Sequence, residues 1–227
     1  MIAPGNLFRR LARETSGVAM TELALAMPVL LVAGMWGTET ANLAITHMRI
    51  NQLAAHIADN ASRIGDTSTL SDRKIYEADI NDLLYGAGMQ SGLEISLFKH
   101  GRVIISSLQV DEDTGGQFIK WQRCKGEKSV PSTFGNEGDG LGVAIDGMGP
   151  DGEEVVAQVG DGVVFVEITY DYQPLIGLGF GENEQIHTIS SFTVRDDRDL
   201  SQIYQRDPGD PDAIADCTVF DSSMAMS

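Results

Sequence analysis

Gly17-Val18-Ala19-Met20-Thr21-Glu22-Leu23-Ala24-Leu25-Ala26-Met27-Pro28-Val29-Leu30-Leu31-Val32-Ala33-Gly34-Met35-Trp36-Gly37 decides how this chain is built. From Val18 to Gly37 there is one charge, Glu22, and from Leu23 onward every residue is apolar, Gly or Pro. As a helix rising about 1.5 Å per residue, the run is about 30 Å long, the hydrocarbon thickness of a bilayer. The stretch therefore reads as a membrane span over 18–37. Arg9, Arg10 and Arg13 precede it against a single acid, Glu14, which keeps the N-terminal side cytoplasmic and sends the rest across. Pro28 reads as a bend within the span, because membrane helices tolerate the lost hydrogen bond. Trp36 falls at the outer boundary, where indole rings favour the headgroups.

Glu22 is the odd residue. A carboxylate near the bilayer centre costs about 2–3 kcal/mol, and less toward the interface. A plain anchor has no use for it. An ordinary secretory signal is cut after its apolar region, at small residues. Here a basic leader, then Gly17, then an apolar helix with Glu at its fifth position resembles the class III signal of type IV pilin-like proteins. Within that group the wording Gly-Val-Ala-Met-Thr-Glu-Leu-Ala-Leu-Ala-Met-Pro-Val-Leu-Leu is similar to the TadE family of pseudopilins, which belong to bacterial tight-adherence (Tad/Flp) pilus systems. The likeness is strongest over 9–37 and continues less specifically to about residue 64. The family usually has an aromatic residue after the Glu, where this chain has Leu23.

That resemblance implies a processing site between Gly17 and Val18, cut by a prepilin peptidase on the cytoplasmic side. It implies an assembly role for Glu22, whose carboxylate would neutralise the new amine of Val18 on a neighbouring subunit. It also implies other pilins and pseudopilins and the Tad pilus machinery as partners. The location it implies is the bacterial inner membrane, single-pass, with the head periplasmic or carried into a pilus. The residues alone leave a second reading open: an uncleaved signal anchor holding an extracytoplasmic binding module.

Beyond the span, Thr38 to Ile64 has no Pro or Gly. Apolar residues recur at Leu43, Ile50, Ile57 and Ile64, with Met48, Leu53, Ala54 and Ala61 filling the same face. Segment 38–65 thus reads as an amphipathic continuation of the stem. The expected organisation is a leader at 1–17, a span at 18–37, this continuation, an α+β head at 66–195 and an acidic tail at 196–227. The expected fold class is α+β, a long N-terminal helix followed by a mainly antiparallel sheet with one further helix.

That further helix is expected over Thr67–Tyr85, with Ser71 as N-cap, Asp72 in its first turn, and Gly86 and Gly88 closing it. Leu93–Lys99 alternates with period two and reads as a strand, turning at His100-Gly101 into a second strand, Arg102–Val110. Phe118–Cys124 reads as a third strand, with Ile119, Trp121 and Arg123 on one face. The Gly-rich stretch 125–160 reads as a mobile surface insertion rather than a binding loop, with a short strand at Val155–Val159. Val163–Tyr172 and Ile186–Val194 are the remaining strands, followed by an extended tail.

The net charge is −17. Such acidity excludes nucleic acid as a partner, since phosphates need Lys and Arg. Cys124 and Cys217 are the only cysteines, and both fall in the exported part, where disulfides persist. One bridge is expected, closing a loop of about 90 residues that the chain-entropy relation values at about 4–5 kcal/mol. No catalytic residues, cofactor or metal is expected. His47, His56, His100 and His187 lack metal-ligand spacing, and no nucleophile elbow, Walker loop or dinucleotide fingerprint is present. The acidic segments Asn136–Asp139 and Asp146–Glu154 do not follow the EF-hand pattern. They read as solvated loops.

Overall fold

The computed structural model describes residues 16–65, 73–177, 181, 183–194 and 198–223. The basic leader through residue 15, and the expected cap at Ser71 and Asp72, lie outside these. One continuous helix, α1 (Ser16–Ala61), runs 46 residues and passes through Pro28 without a break. Its first half stands clear of the head: from Gly17 to Gly37 every residue is exposed except the half-buried Met35. Its second half buries Ile50, Leu53, Ala54, Ile57, Ala58 and Ala61 against the head, with Leu43 partly covered. The helix ends at Ala61, short of the expected stripe residue Ile64, which packs on the same core from beyond the turn at 62–63. Residues spaced by three, four and seven share one face of a helix, so the stripe and the burial coincide. Met48 is the exception, being exposed.

The second helix, α2 (Glu77–Ile95), starts and ends later than its sequence suggests. Arg73 and Tyr76 are extended instead, each bridged in parallel to the tail at Arg198 and Tyr204. Gly86 and Gly88 lie inside the helix. Each costs about 1 kcal/mol of propensity relative to Ala, offset by packing: Ile80, Leu84, Ala87 and Ile95 are buried in the core that α1 shares. The expected strand over Leu93–Lys99 does not form. Gly92 adopts φ +69° and kinks the end of α2, Ser96 caps it in the left-handed region, and Leu97–His100 is a single turn, α3. The alternation there reflects burial of Ile95, Leu97 and Phe98 around that kink.

Four strands follow: β1 (Gly101–Val110), β2 (Gln117–Lys125), β3 (Gly162–Asp171) and β4 (Gln185–Thr193). All pairs are antiparallel, in the order β2-β1-β3-β4. Period-two side chains divide into two cores. Val103, Ile105, Val164, Val166, Ile168, Tyr170 and Ile186 face the helices. Leu108, Val163 and Phe165 face the other way. Ile119 and Trp121 fall in different cores, against the expectation of one shared face. The register slips between Ser107 and Leu108, so Trp121 opposes Ser107 while Ile119 opposes Leu108. Lys120 is the extra residue, and a bulge of this kind flips the alternation.

The stretch 125–160 is not a loose insertion. It covers the second face of the sheet, where Met148 and Ala157 are buried and Phe134, Ile145 and Val155 pack alongside. Instead of a strand over Val155–Val159 there is a single bridge between Met148 and Val155. Backbone bonds from Ile119 to Asp139 and from Ile145 to Gln117 occupy the outer edge of β2. The tail takes the rest of that edge through Cys124 N–H to Ala215 and Gly126 N–H to Asp221. An unpaired edge would invite pairing with another chain. Cys124 and Cys217 are bonded, with Sγ atoms 2.04 Å apart.

Candidate functional site

Three polar constructions stand out against these apolar cores. The first is the stem. Val18 and Glu22 are four residues apart on α1, one turn above the other on a shared face. Both are exposed, as are their apolar neighbours, and an added Cβ at Gly17 would meet nothing within 4 Å. Thr21 returns its hydroxyl hydrogen to the Val18 carbonyl at 2.8 Å, and Thr38 and Thr40 do the same to Gly34 and Trp36 at 2.9 Å. Thr21, the one hydroxyl between Val18 and Gly37, thus has its hydrogen satisfied within the helix. That is what a hydrocarbon environment demands.

The second is the junction of stem and head, centred on Glu39. This residue is only 3% exposed. Its carboxyl oxygens accept from the Ile176 N–H at 2.9 Å, the Leu175 N–H at 3.3 Å and the Tyr172 hydroxyl at 2.5 Å. Asn42, one turn further up the stem, donates its amide to the same Tyr172 oxygen at 2.6 Å. Burial, with the Glu39 hydrogen bond adding to it, pushes the Tyr172 phenol above its ordinary value. The loop after β3 is thereby tied to the stem two residues beyond Gly37. Sequence reading passed over Glu39. Its one signal is an acid placed just past an apolar run with no base within four residues on either side.

The third is a set of buried charges that hold the head's outer pieces in place. Arg102 is 1% exposed and donates to the carbonyls of Gly126 at 3.0 Å, Val219 at 3.1 Å and Cys217 at 2.5 Å, while Phe220 stacks 4.1 Å away. Burial lowers its pKa from the ordinary arginine value. Three backbone carbonyls of irregular chain are satisfied by one rigid fork. Glu77, at the start of α2, takes both oxygens to Arg123 of β2, which also reaches Glu137 at 3.3 Å. Burial alone would lower the Arg123 pKa, but the hydrogen bond and charge of Glu77 outweigh it and the net shift is upward. On the other face Glu167 accepts from the Thr133 N–H at 2.9 Å and from the Ser132 hydroxyl, with His187 Nε2 at 3.8 Å.

These arrangements bind chain to chain. Ser132 gives its proton to Glu167, whose other oxygen holds the Thr133 N–H, so the pair pins the start of the Gly-rich cover to β3. The histidines are scattered: His56 meets Gln90 at 2.5 Å, His100 stands edge-on to Tyr170, and His187 lies beside Phe134. Among the described residues no group of three His, Cys, Asp or Glu side chains is placed to hold a metal ion. Two acids of 136–154 are turned onto their own backbone, Asp139 accepting from Asn136 N–H and Glu154 from Gly152 N–H, while Glu137 reaches across to Gln122 N–H and Arg123 of β2. Of the residues singled out by sequence, Gly17, Val18 and Glu22 share the first turns of the stem, and Cys124 and Cys217 meet at the far side of β2. Comparison with protein families, with curated proteins and with solved structures finds no match.

Proposed function

We propose that this chain is a membrane-anchored assembly subunit, a minor pseudopilin of a bacterial Tad-type pilus, cut after Gly17 and held by its apolar helix. The observation that carries this reading is the shape of α1. A single 46-residue helix presents an apolar, uncovered first half with one carboxyl group and a second half built into a folded head. A soluble protein would bury such a surface. A plain anchor would lack the acid.

In this reading the exposed half of α1 lies in lipid until a neighbouring subunit meets it. Cleavage leaves Val18 with a free amine on the same helix face as Glu22. In hydrocarbon each charge is costly alone, and pairing the amine of one subunit with Glu22 of another relieves both. The pairing sets the axial register between stems as well as favouring association. The head, sealed at one sheet edge and crossed by the disulfide, then serves as a rigid body for contact with other pilus components.

The test is Glu22→Ala in the native host. Membrane extraction should find the variant inserted at wild-type level. Sheared pilus fractions and crosslinked assembly complexes should lose it by at least tenfold. Equal recovery of variant and wild type in those fractions would remove Glu22 from the mechanism.

A further inference from the structure

Glu39 follows the end of the apolar run by two residues, about 3 Å along the helix axis. The headgroup layer adds roughly 5–7 Å outside the hydrocarbon on each side. The Glu39 carboxyl group therefore lies within headgroup depth when 18–37 spans the membrane. Whatever it binds is held at that depth too. It binds the backbone of Leu175 and Ile176. The side chain of Leu175 is 66% exposed, and that of Ile176 half-exposed. From Gln173 to Gly181 the sequence has no charge, a clear departure for a head that is otherwise strongly acidic. Tyr172 is anchored from both sides by Glu39 and Asn42, so the loop cannot swing away without breaking that clasp. Trp36, exposed and one turn below Glu39, marks the same level.

We infer that Leu175 and Ile176 form a second membrane contact, a shallow apolar foot. It rests in the interface of the outer leaflet of the bilayer that the stem crosses. The partner is lipid at the boundary between headgroups and acyl chains, recognised by apolar contact. At a net charge of −17 the chain gains nothing from anionic lipid. With stem and foot both seated, the head is fixed in tilt and in rotation about the stem, which a single helix cannot achieve. The inference rests on 18–37 being the span, and its test separates the two.

The full chain is reconstituted in phosphatidylcholine–phosphatidylglycerol nanodiscs without reductant, so that the native bridge is kept. A thiol-reactive fluorophore is placed singly at Leu175→Cys, Leu30→Cys and Val143→Cys, and quenching is read with lipids spin-labelled at the headgroup, at carbon 5 and at carbon 12. Leu30 is mid-span, and Val143 is 83% exposed on the Gly-rich cover beside Ala144, whose Cβ meets Gly116 in the β1–β2 turn at the far end of the sheet. The expected result has two parts. Leu30→Cys is quenched most by carbon 12. Leu175→Cys is quenched at least twofold more than Val143→Cys by the headgroup and carbon-5 labels. A quenched Leu30→Cys with Leu175→Cys no different from Val143→Cys overturns the foot and leaves the span standing. An unquenched Leu30→Cys overturns the span, and the foot with it. Glu39→Ala in the Leu175→Cys background should cut the Leu175 signal at least twofold by releasing the loop. An unchanged signal would show that Glu39 does not hold it there, and so overturn the argument from depth.

Discussion

Reducing the bond between Cys124 and Cys217 should destabilise the head without unseating the tail. The two cysteines are 93 residues apart. The chain-entropy relation values a closed loop of that length at about 4.7 kcal/mol at 25 °C, through the freedom it removes from the unfolded chain. The folded side changes little, because the tail has other ties. Cys124 N–H still reaches Ala215 at 2.8 Å, Lys125 still meets Asp221 at 3.0 Å, and Arg102 still donates to three carbonyls of the same region. The assay is urea unfolding of the full chain in detergent micelles, oxidised and reduced. Trp121 is buried three residues before Cys124 on β2 and serves as reporter in a Trp36→Phe background. With a slope of about 2 kcal/mol per molar urea, the midpoint should fall by about 2 M, and the slope should rise as the unfolded chain, freed of its cross-link, exposes more surface. A fall below about 0.5 M would refute the reasoning, because the unfolded chain would then be confined by something other than the bridge.

Glu39→Ala strands two backbone N–H groups and a buried tyrosine hydroxyl. The expected cost is about 2–4 kcal/mol, with hydrogen exchange quickened at 173–177 and unchanged in β1. Glu77→Ala leaves the Arg123 guanidinium buried without its main partner, for a loss of about 3–5 kcal/mol. Arg123→Leu in the same chain should restore part of it, and urea midpoints of the single and double variants decide whether it does. Tyr170, buried with its hydroxyl on the Ile95 carbonyl, has its pKa pushed up to about 12 by burial first and then by Tyr172 and Asp171. The unfolded chain releases that proton near pH 10. The contribution is therefore complete below pH 10 and is lost as pH rises to about 12. Tyr170→Phe should flatten the fall in stability across that window, measured by urea midpoints from pH 9 to 12.

What could be read in the sequence was whatever periodicity and local chemistry specify. The stripe Leu43, Ile50, Ile57 placed the stem on the head because a helix face is fixed by spacing alone. β3 was legible because Val163 to Tyr172 is rich in β-branched and aromatic residues that suit a sheet. The end of α2 was not, since Gly86 and Gly88 look like a stop until the core contacts of Ala87 and Ile95 are known. The opposite fates of Ile119 and Trp121 depend on a bulge at Lys120, which leaves no mark in the strand itself. The Gly-rich cover was misjudged for a related reason: Phe134, Met148 and Val155 are too far apart in sequence to show a period, and they meet only on the sheet. Of the polar sites, the stem was legible as a motif and the cysteine pair by elimination. Glu39 showed only as an acid just past the apolar run, and Glu77, Arg102 and Glu167 were invisible, because a buried charge is defined by partners that sequence distance conceals.

The account turns on α1 entering the membrane from Val18 with its first amine free. The most direct measurement is the intact mass of the chain purified from its native host's membranes, with the first residues sequenced. A polypeptide beginning at Val18 is the predicted result. A chain that still carries Arg9, Arg10 and Arg13 would contradict it and leave a tethered head with no assembly role for Glu22.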